Sequence, residues 1–220
     1  MNYAVIFDMD GVLVDSYHAH FQSWRSSALR LGLDMTEEQF AKTFGRTSRD
    51  IIHFLWPGRF TDQQAAEFDN AKEADYRDVL RKSFPEMRGA GALIAQLHQA
   101  GFRLAIGSSG PPENVEVVRQ CIPNGNLFDA TVNGSEVKHG KPDPQVFLLA
   151  AKKLGIDPPN CAVIEDAIFG IEAARRANMT AIALTGTAPR EELAKRAHRV
   201  VDSLTQLSPR VISDLIASNQ

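Results

Sequence analysis

The chain has few cysteines, no long apolar run and no strong excess of either charge. Only Cys121 and Cys161 occur in 220 residues, without zinc-type spacing, which predicts reduced thiols in a cytoplasmic protein. A formal net charge of −3 argues against a general role in binding nucleic acids or membrane surfaces. The sequence also lacks a basic leader followed by an apolar segment, so it predicts neither a signal peptide nor a membrane span.

The pattern of apolar residues divides the chain into an α/β part and a helical part. A strand is predicted at 3–7, and residues 16 to about 82 carry apolar side chains at helical spacing. Further along, strands and helices alternate, which predicts a doubly wound, mostly parallel sheet with helices on both faces. We therefore expect an α/β core, residues 1–15 and 86–220, with a helical cap inserted at 16–85. The elements predicted after the insertion are helix 89–100, strand 102–107, helix 112–121, strand 129–133, helix 144–154, strand 161–165, helix 169–177, strand 180–185, helix 189–196, strand 199–202 and helix 208–217.

Polar side chains follow three predicted strands at the same relative place. Asp8 follows the first strand, Ser108 and Ser109 follow the second, and Glu165 and Asp166 follow a later one. The carboxyl ends of parallel strands lie on one edge of the sheet, where open α/β sheets bind ligands. We expect these side chains to converge, although they are far apart in sequence.

Asp8 and Asp10 are two carboxylates directly after a buried strand, a place where packing alone does not favour charge. One interpretation is a turn in which both side chains cap backbone amides. The functional alternatives are a divalent cation, covalent chemistry or acid/base catalysis. Together with Glu165 and Asp166 the acids would repel each other unless a cation lies among them, and so small a set of oxygen ligands suits Mg²⁺.

Ser108 and Lys141 offer groups that bind an anion. Ser108 lies in a strand-to-helix turn, where free backbone amides bind anions, but a serine there also serves as an ordinary helix cap. Lys141 precedes Asp143 and Pro144, which are predicted as the N-cap and first residue of a helix. A solvated surface lysine is the alternative. Together, the cations and carboxylates favour phosphoryl transfer.

These motifs resemble those of the haloacid dehalogenase-like superfamily. The resemblance covers essentially the whole chain, and its four motifs stand in the family's order: Asp8-x-Asp10-Gly11-x-Leu13-x-Asp15-Ser16, then Ser108, Lys141 and Glu165-Asp166. The predicted helical insertion is similar to the small cap of the group that includes β-phosphoglucomutase and many sugar-phosphate phosphatases.

The resemblance implies a role for each core residue. Asp8 would be the nucleophile that forms an aspartyl-phosphate, and Asp10 the general acid/base. Ser108 and Lys141 would hold the transferring phosphoryl group, and Lys141 would also neutralise Asp8.

The resemblance also implies one Mg²⁺ ion per site. Its ligands would be the Asp8 carboxylate, the Asp10 backbone carbonyl and Asp166, with Glu165 close by or acting through water. The dehalogenases of the superfamily lack an acid at the position of Asp10 and use no metal, so the acid favours phosphoryl transfer.

Substrate choice is expected to depend on the cap. His20 and Trp24 lie four residues apart on one helix face, and by resemblance they and Arg49 and Lys72 would bind substrate, together with Ser109 of the core. Periodicity alone places Trp24 in a hydrophobic core instead.

Several positions differ from the mutase pattern, among them Val14, Ser16, Ile52, Gly45 in the loop 44–50, and the Pro111-Pro112 pair. These differences favour a Mg²⁺-dependent phosphohydrolase of small phosphorylated metabolites, with sugar phosphates as the expected substrates. A β-phosphoglucomutase-like phosphotransferase is the first alternative, and a non-catalytic binding or regulatory module is another. We expect a monomer, with a dimer as the alternative, and neither nucleic acid nor membrane as partner.

Overall fold

The computed structural model describes residues 2–43 and 47–220, which divide into two compact units. One unit comprises Met1–Asp15 with Phe84–Gln220, and the other comprises Ser16–Ser83. The second segment of the core unit begins at Phe84, whereas the sequence analysis expects it to begin at residue 86. Gly45, one of the positions that differ from the mutase pattern, lies outside the described residues.

The core unit is built on a parallel sheet, which confirms the predicted fold class. Within the described residues its six strands are β1 (Ala4–Phe7), β2 (Arg103–Gly107), β3 (Ala130–Val132), β4 (Cys161–Glu165), β5 (Thr180–Leu184) and β6 (Arg199–Val201). Their order across the sheet is β3-β2-β1-β4-β5-β6, with every neighbouring pair parallel. The first strand thus lies between β2 and β4, and all three reach the same carboxyl edge.

The central strands are buried because helices cover both faces of a doubly wound sheet. Every residue of β1, β4 and β5 is buried. One face packs β-branched and alanine side chains of the sheet against Phe147 and Ile171. This rigid layer fixes the positions at which the strands end.

Among the described residues, the inserted unit contains helices and no strands, as predicted. Its helices are α1 (Tyr17–Arg30), α2 (Glu37–Thr43), α3 (Ser48–Leu55) and α4 (Asp62–Lys82). Thr61 and Gln64 form a capping box that begins α4, in which each side chain accepts the other's backbone N–H. Trp24, Phe40 and Phe68 belong to the buried core of this unit.

The core helices follow the predicted alternation with small shifts of their ends. They are α5 (Ala90–Gln99), α6 (Pro112–Cys121), α7 (Gln145–Leu154), α8 (Ile168–Arg176), α9 (Arg190–Ala194) and α10 (Pro209–Ser218). The predicted start of α7 was wrong by one residue, because Pro144 is its N-cap and Gln145 its first residue. Asp143 still supports this start, since its Oδ1 accepts the Gln145 N–H at 3.0 Å. Among the helices of residues 2–43 and 47–220, none is long and apolar enough to cross a membrane.

Candidate active site

Asp8 lies at the carboxyl end of β1, near the middle of the sheet, and its side chain is buried. Its N–H donates to the Ile164 carbonyl of β4 at 2.9 Å, which continues the strand pairing to this residue. The chain then turns tightly, because Gly11 has φ +76° and its N–H donates to the Val14 carbonyl at 2.9 Å. Asp10 lies in this turn, half-buried and bridged to Val14.

Lys141 connects the ends of β1 and β4. Its Nζ lies 2.5 Å from Asp8 Oδ1 and 2.8 Å from Glu165 Oε1, and only 11% of the side chain is exposed. Bonds between charged groups of this kind are stronger than neutral ones. The Arg176 guanidinium donates to the Pro142 carbonyl at 3.1 Å, which anchors the loop that carries the lysine. Lys141 is therefore not a solvated surface lysine.

Three buried carboxylates meet at this point, those of Asp8, Glu165 and Asp166. One oxygen from each lies within 4.8 Å of the others. The sheet register explains why, since Phe7 pairs with Ile164 and the next residues, Asp8 and Glu165, follow at the same level of adjacent strands.

Two glycines make room for the acidic pair. A Cβ atom at Gly11 would lie 2.0 Å from Asp166 Oδ2, and a Cβ at Gly170 in α8 would lie 1.8 Å from Glu165 Oε1. Both distances are far below van der Waals contact, so any larger residue would displace the carboxylates. The Ala167 N–H also donates to Glu165 Oε2 at 2.6 Å and fixes the second oxygen of that side chain.

Burial and mutual repulsion dominate the electrostatics of the cluster. Burial raises the pKa of Asp8 well above its usual value, Lys141 opposes this, and Glu165 and Asp166 add to it. Burial together with Glu165 raises the pKa of Asp166 to about 7, against the opposing effects of the Thr187 hydroxyl and Lys141. Burial lowers the pKa of Lys141, but Asp8 and Glu165 outweigh it and raise that pKa above its ordinary value.

The residues present fit a magnesium ion. Asp8, Glu165 and Asp166 supply hard oxygen donors that Lys141 alone does not neutralise. Burial raises the pKa of Asp8 and of Asp166, and the neighbouring carboxylates raise both further, which reflects this excess of negative charge. Mg²⁺ binds through one or two carboxylates and keeps several waters, which suits so small a set. The predicted ligand from Asp10 is its backbone oxygen, and that contribution stays a prediction.

Ser108 follows β2 and reaches the same edge of the sheet. Its N–H donates to the Val132 carbonyl of β3 at 3.0 Å, and its buried Oγ accepts the Gly110 N–H at 2.9 Å. The N-cap of α6 is Pro111, so the helix-cap interpretation of Ser108 is wrong. Ser109 is exposed, and a substrate contact through it stays a prediction.

His20 and Arg49 have partners within the helical unit. The His20 ring stacks on Tyr76 with centroids 4.1 Å apart and an interplanar angle of 3°. Arg49 is exposed and pairs with Asp62 at 2.8 Å. Substrate binding by these two residues stays a prediction.

Trp24 and Lys72 are both buried in the same unit. Trp24 packs against Phe68 with ring centroids 5.4 Å apart, and the Lys72 Nζ lies 5.2 Å from the centroid of the Trp24 ring. Lys72 forms ion pairs with Glu73 and, at 3.4 Å, with Asp69. Packing accounts for the burial of Trp24, as its helical periodicity indicates, and substrate binding by Trp24 and Lys72 stays a prediction.

The sequence motifs do not indicate the side-chain contact that Thr187 makes with the cluster. This residue follows β5, and its hydroxyl donates to Asp166 Oδ2. The signal that identifies Asp8, Ser108 and Glu165 is a polar residue after a buried strand. The Thr185-Gly186-Thr187 segment, which directly follows Leu184 of β5, carries the same signal.

Known proteins resemble this chain in both sequence and structure. A family model for haloacid dehalogenase-like hydrolases matches residues 4–178. The chain is 31% identical over 186 residues to beta-phosphoglucomutase of Bacillus subtilis (strain 168), with 81% of each protein covered. It is 32% identical over 203 residues to hexitol phosphatase A of Escherichia coli (strain K12), with 92% of each covered.

A solved structure of a related hydrolase matches almost all of this chain. The structure of a family IA, variant 3 hydrolase from Entamoeba histolytica HM-1:IMSS superposes with a TM-score of 0.86 at 29% identity, covering 99% of this chain and 100% of the other. With the family model and the relatives, this likeness identifies an enzyme of the phosphatase or phosphoglucomutase-like kind. The chain belongs to the haloacid dehalogenase-like hydrolases.

Proposed function

We propose that the protein is a Mg²⁺-dependent phosphohydrolase of small phosphorylated metabolites, chiefly sugar or sugar-alcohol phosphates. The observation that carries this proposal is the bridge from Lys141 to Asp8 and Glu165, with Asp166 beside it. It places a carboxylate at the end of a central strand, together with a fixed cation that can bind a phosphoryl group. Relatives named for hexitol phosphate and glucose phosphate chemistry support this substrate class.

Asp8 is the proposed nucleophile. Its carboxylate oxygen attacks phosphorus, the bond from phosphorus to the leaving oxygen breaks, and Asp10 donates a proton to that oxygen. Water then attacks the aspartyl-phosphate while Asp10 accepts a proton from it. This second displacement releases inorganic phosphate and regenerates the Asp8 carboxylate.

Lys141 and Ser108 are proposed to hold the transferring group. The ammonium of Lys141 counteracts the burial that raises the pKa of Asp8, so it favours the ionised nucleophile. The same charge stabilises negative phosphoryl oxygens, an effect that is large where water is excluded. Ser108 Oγ accepts from Gly110, which leaves the hydroxyl proton for donation to a phosphoryl oxygen.

The Asp8 carboxylate, the Asp10 backbone carbonyl and Asp166 are the proposed direct ligands of Mg²⁺, with Glu165 in contact directly or through water. A bound Mg²⁺ supplies positive charge that orients the phosphate and stabilises it during transfer. Glu165 also holds Lys141 in place, so it links the metal ligands to the phosphate-binding cation.

The second candidate is transfer of the phosphoryl group to a sugar hydroxyl, as in a β-phosphoglucomutase. The 31% identity to the Bacillus subtilis mutase favours it. Both candidates share the first half-reaction on Asp8, and they differ in whether water or a sugar takes the phosphoryl group.

A phosphate-release survey in Mg²⁺ tests the proposal. We expect hydrolysis of hexitol or hexose phosphates by the wild type, and a loss of about a thousandfold or more in Asp8→Asn, because the nucleophile is gone. Asp214→Asn is the matched control, since it makes the same chemical change on an exposed face of α10. A wild type without phosphatase activity, or an active Asp8→Asn, would contradict the proposal. Conversion of β-glucose 1-phosphate to glucose 6-phosphate, without net phosphate release, would identify the mutase instead.

A further inference from the structure

Thr187 approaches the buried acidic pair from the solvent side. It lies in the segment between β5 and α9 and is itself exposed, whereas Asp166 is buried. The Thr187 hydroxyl donates to Asp166 Oδ2. Its partner is thus one of the three carboxylates that meet at the sheet edge.

The same oxygen is confined from another side by Gly11. A Cβ at Gly11 would lie 2.0 Å from Asp166 Oδ2 but 3.2 Å from Oδ1, so Oδ2 is the oxygen that lies against the glycine. Contact with Gly11 and the Thr187 hydroxyl together fix Oδ2. Holding Oδ2 also sets the orientation of Oδ1, because the two oxygens of a carboxylate turn together.

The segment that carries Thr187 is anchored by bonds that do not involve Asp166. The Thr185 N–H donates to the Val201 carbonyl at 3.0 Å, and the Thr185 hydroxyl donates to Asp202 Oδ1 at 3.0 Å. Arg190 pairs with the same Asp202 oxygen at 2.5 Å. Attachment to the end of β6 therefore holds the Thr187 hydroxyl in place independently of the acidic cluster.

We propose that Thr187 is a positioning residue for the metal site: it holds Asp166 Oδ2 and so presents Oδ1 to the cation. This inference rests on the proposed function, which assigns Asp166 as a ligand of Mg²⁺. Hydrogen bonds to ligating side chains fix the orientation of the ligand, and their loss typically weakens metal binding about 10- to 100-fold. Neither the first-strand motif nor the Glu165-Asp166 pair in the sequence indicates this contact.

Calorimetric titration of Mg²⁺ into the substrate-free protein tests the proposal. Thr187→Val keeps the shape of the side chain and removes its hydroxyl, so it should weaken Mg²⁺ binding about tenfold or more. Thr187→Ser keeps the hydroxyl and should bind Mg²⁺ nearly as the wild type does. Thr185→Val removes one anchoring bond of the segment, to Asp202, but keeps the Thr185 N–H bond to Val201 and the contact of Thr187 with Asp166, so its Mg²⁺ affinity should stay close to that of the wild type.

Two results would overturn the role of Thr187. One is wild-type affinity in Thr187→Val, and the other is equal weakening in Thr187→Ser or Thr185→Val, which would indicate a general effect on the segment. Thermal melts without Mg²⁺ show whether each variant is folded, and Thr187 is exposed, so its replacement leaves the core unchanged. A wild type that binds no Mg²⁺ would overturn the metal site of the proposed function and the role of Thr187 together. Binding by the wild type with unchanged Thr187→Val overturns Thr187 alone.

Discussion

At the scale of single residues, burial disfavours the charged forms of both Asp8 and Lys141, and the contact between the two side chains opposes that effect on each. Burial raises the pKa of Asp8, while a nucleophile has to be ionised. The Lys141 ammonium, held at 2.5 Å, opposes that rise, and Glu165 holds the lysine from its other side. In the proposed mechanism the buried ion pair prepares the carboxylate for attack, at the expense of placing several charges in a low-dielectric region.

Replacement of Lys141 by Met should lower kcat about 10²- to 10³-fold, because a fixed charge near the phosphoryl group is lost. It should also lower the free energy of unfolding by about 3–5 kcal/mol, since Asp8 and Glu165 stay buried without their partner. Lys138→Met is the control, because Lys138 is exposed in the same loop. Phosphate release and urea unfolding provide the two measurements. Wild-type turnover in Lys141→Met would show that the bridge is not part of the chemistry.

Some residues of the candidate site are predictable from the sequence, and others are not. Asp8, Glu165 and Asp166 are predictable because charge directly after a buried run is unusual without a function. Gly170 is not, because in the sequence it is an ordinary residue in the first turn of a predicted helix, and its close approach to Glu165 exists only in three dimensions. Thr187 carries the right signal after β5, but one hydroxyl among many threonines does not stand out.

At the scale of elements, the parallel order of the strands creates the site. The end of β1 lies between the ends of β2 and β4, so residues far apart in sequence reach one edge. The alternation of predicted strands and helices along the sequence predicts this arrangement well, because each strand and helix has to bury one face against its neighbours. The exact start of α7 is less predictable, because Asp143 and Pro144 both have cap-forming chemistry and only backbone geometry selects Pro144.

His198 directly precedes β6, at the edge of the sheet opposite β3, and contacts β5 and α8. Its Nδ1 accepts the Ala181 N–H of β5 at 2.8 Å, and its Nε2 lies 2.7 Å from the Arg175 guanidinium of α8. Burial lowers the pKa of His198 from its ordinary value of 6.5, and Arg175 lowers it further, while Asn219 near the C-terminus acts in the opposite direction. A protonated ring would place positive charge beside Arg175 and lose the Ala181 bond.

This lowered pKa gives His198 a defined effect on stability. The unfolded chain takes up the proton more readily than the native state, so the contribution of His198 is complete above pH 6.5 and is lost as pH falls through the native pKa. Urea unfolding at pH 7.5 and 5.5 should show a larger loss of stability on acidification in the wild type than in His198→Asn, which does not titrate. An equal loss in both proteins would contradict the interpretation.

At the scale of the whole molecule, the sequence indicates candidate functional residues more clearly in the core than in the helical unit. The fold class and the order of elements follow from the sequence, as the strand pairing and the family match confirm. The helical unit is harder because its candidate residues also serve its own packing. Lys72 is buried against Asp69 and Glu73, and Arg49 pairs with Asp62. Sequence spacing cannot separate such internal partners from contacts to a substrate.

The central claim is that Asp8 carries the phosphoryl group, and its most direct test is to find that group on the protein. The enzyme is mixed in Mg²⁺ with a ³²P-labelled sugar phosphate that it hydrolyses, quenched in acid within one turnover, and the label is mapped by peptide mass spectrometry. We predict phosphate on Asp8 in the wild type and no label in Asp8→Asn. Label on Ser108, or phosphate release with no labelled residue at any time, would contradict the account.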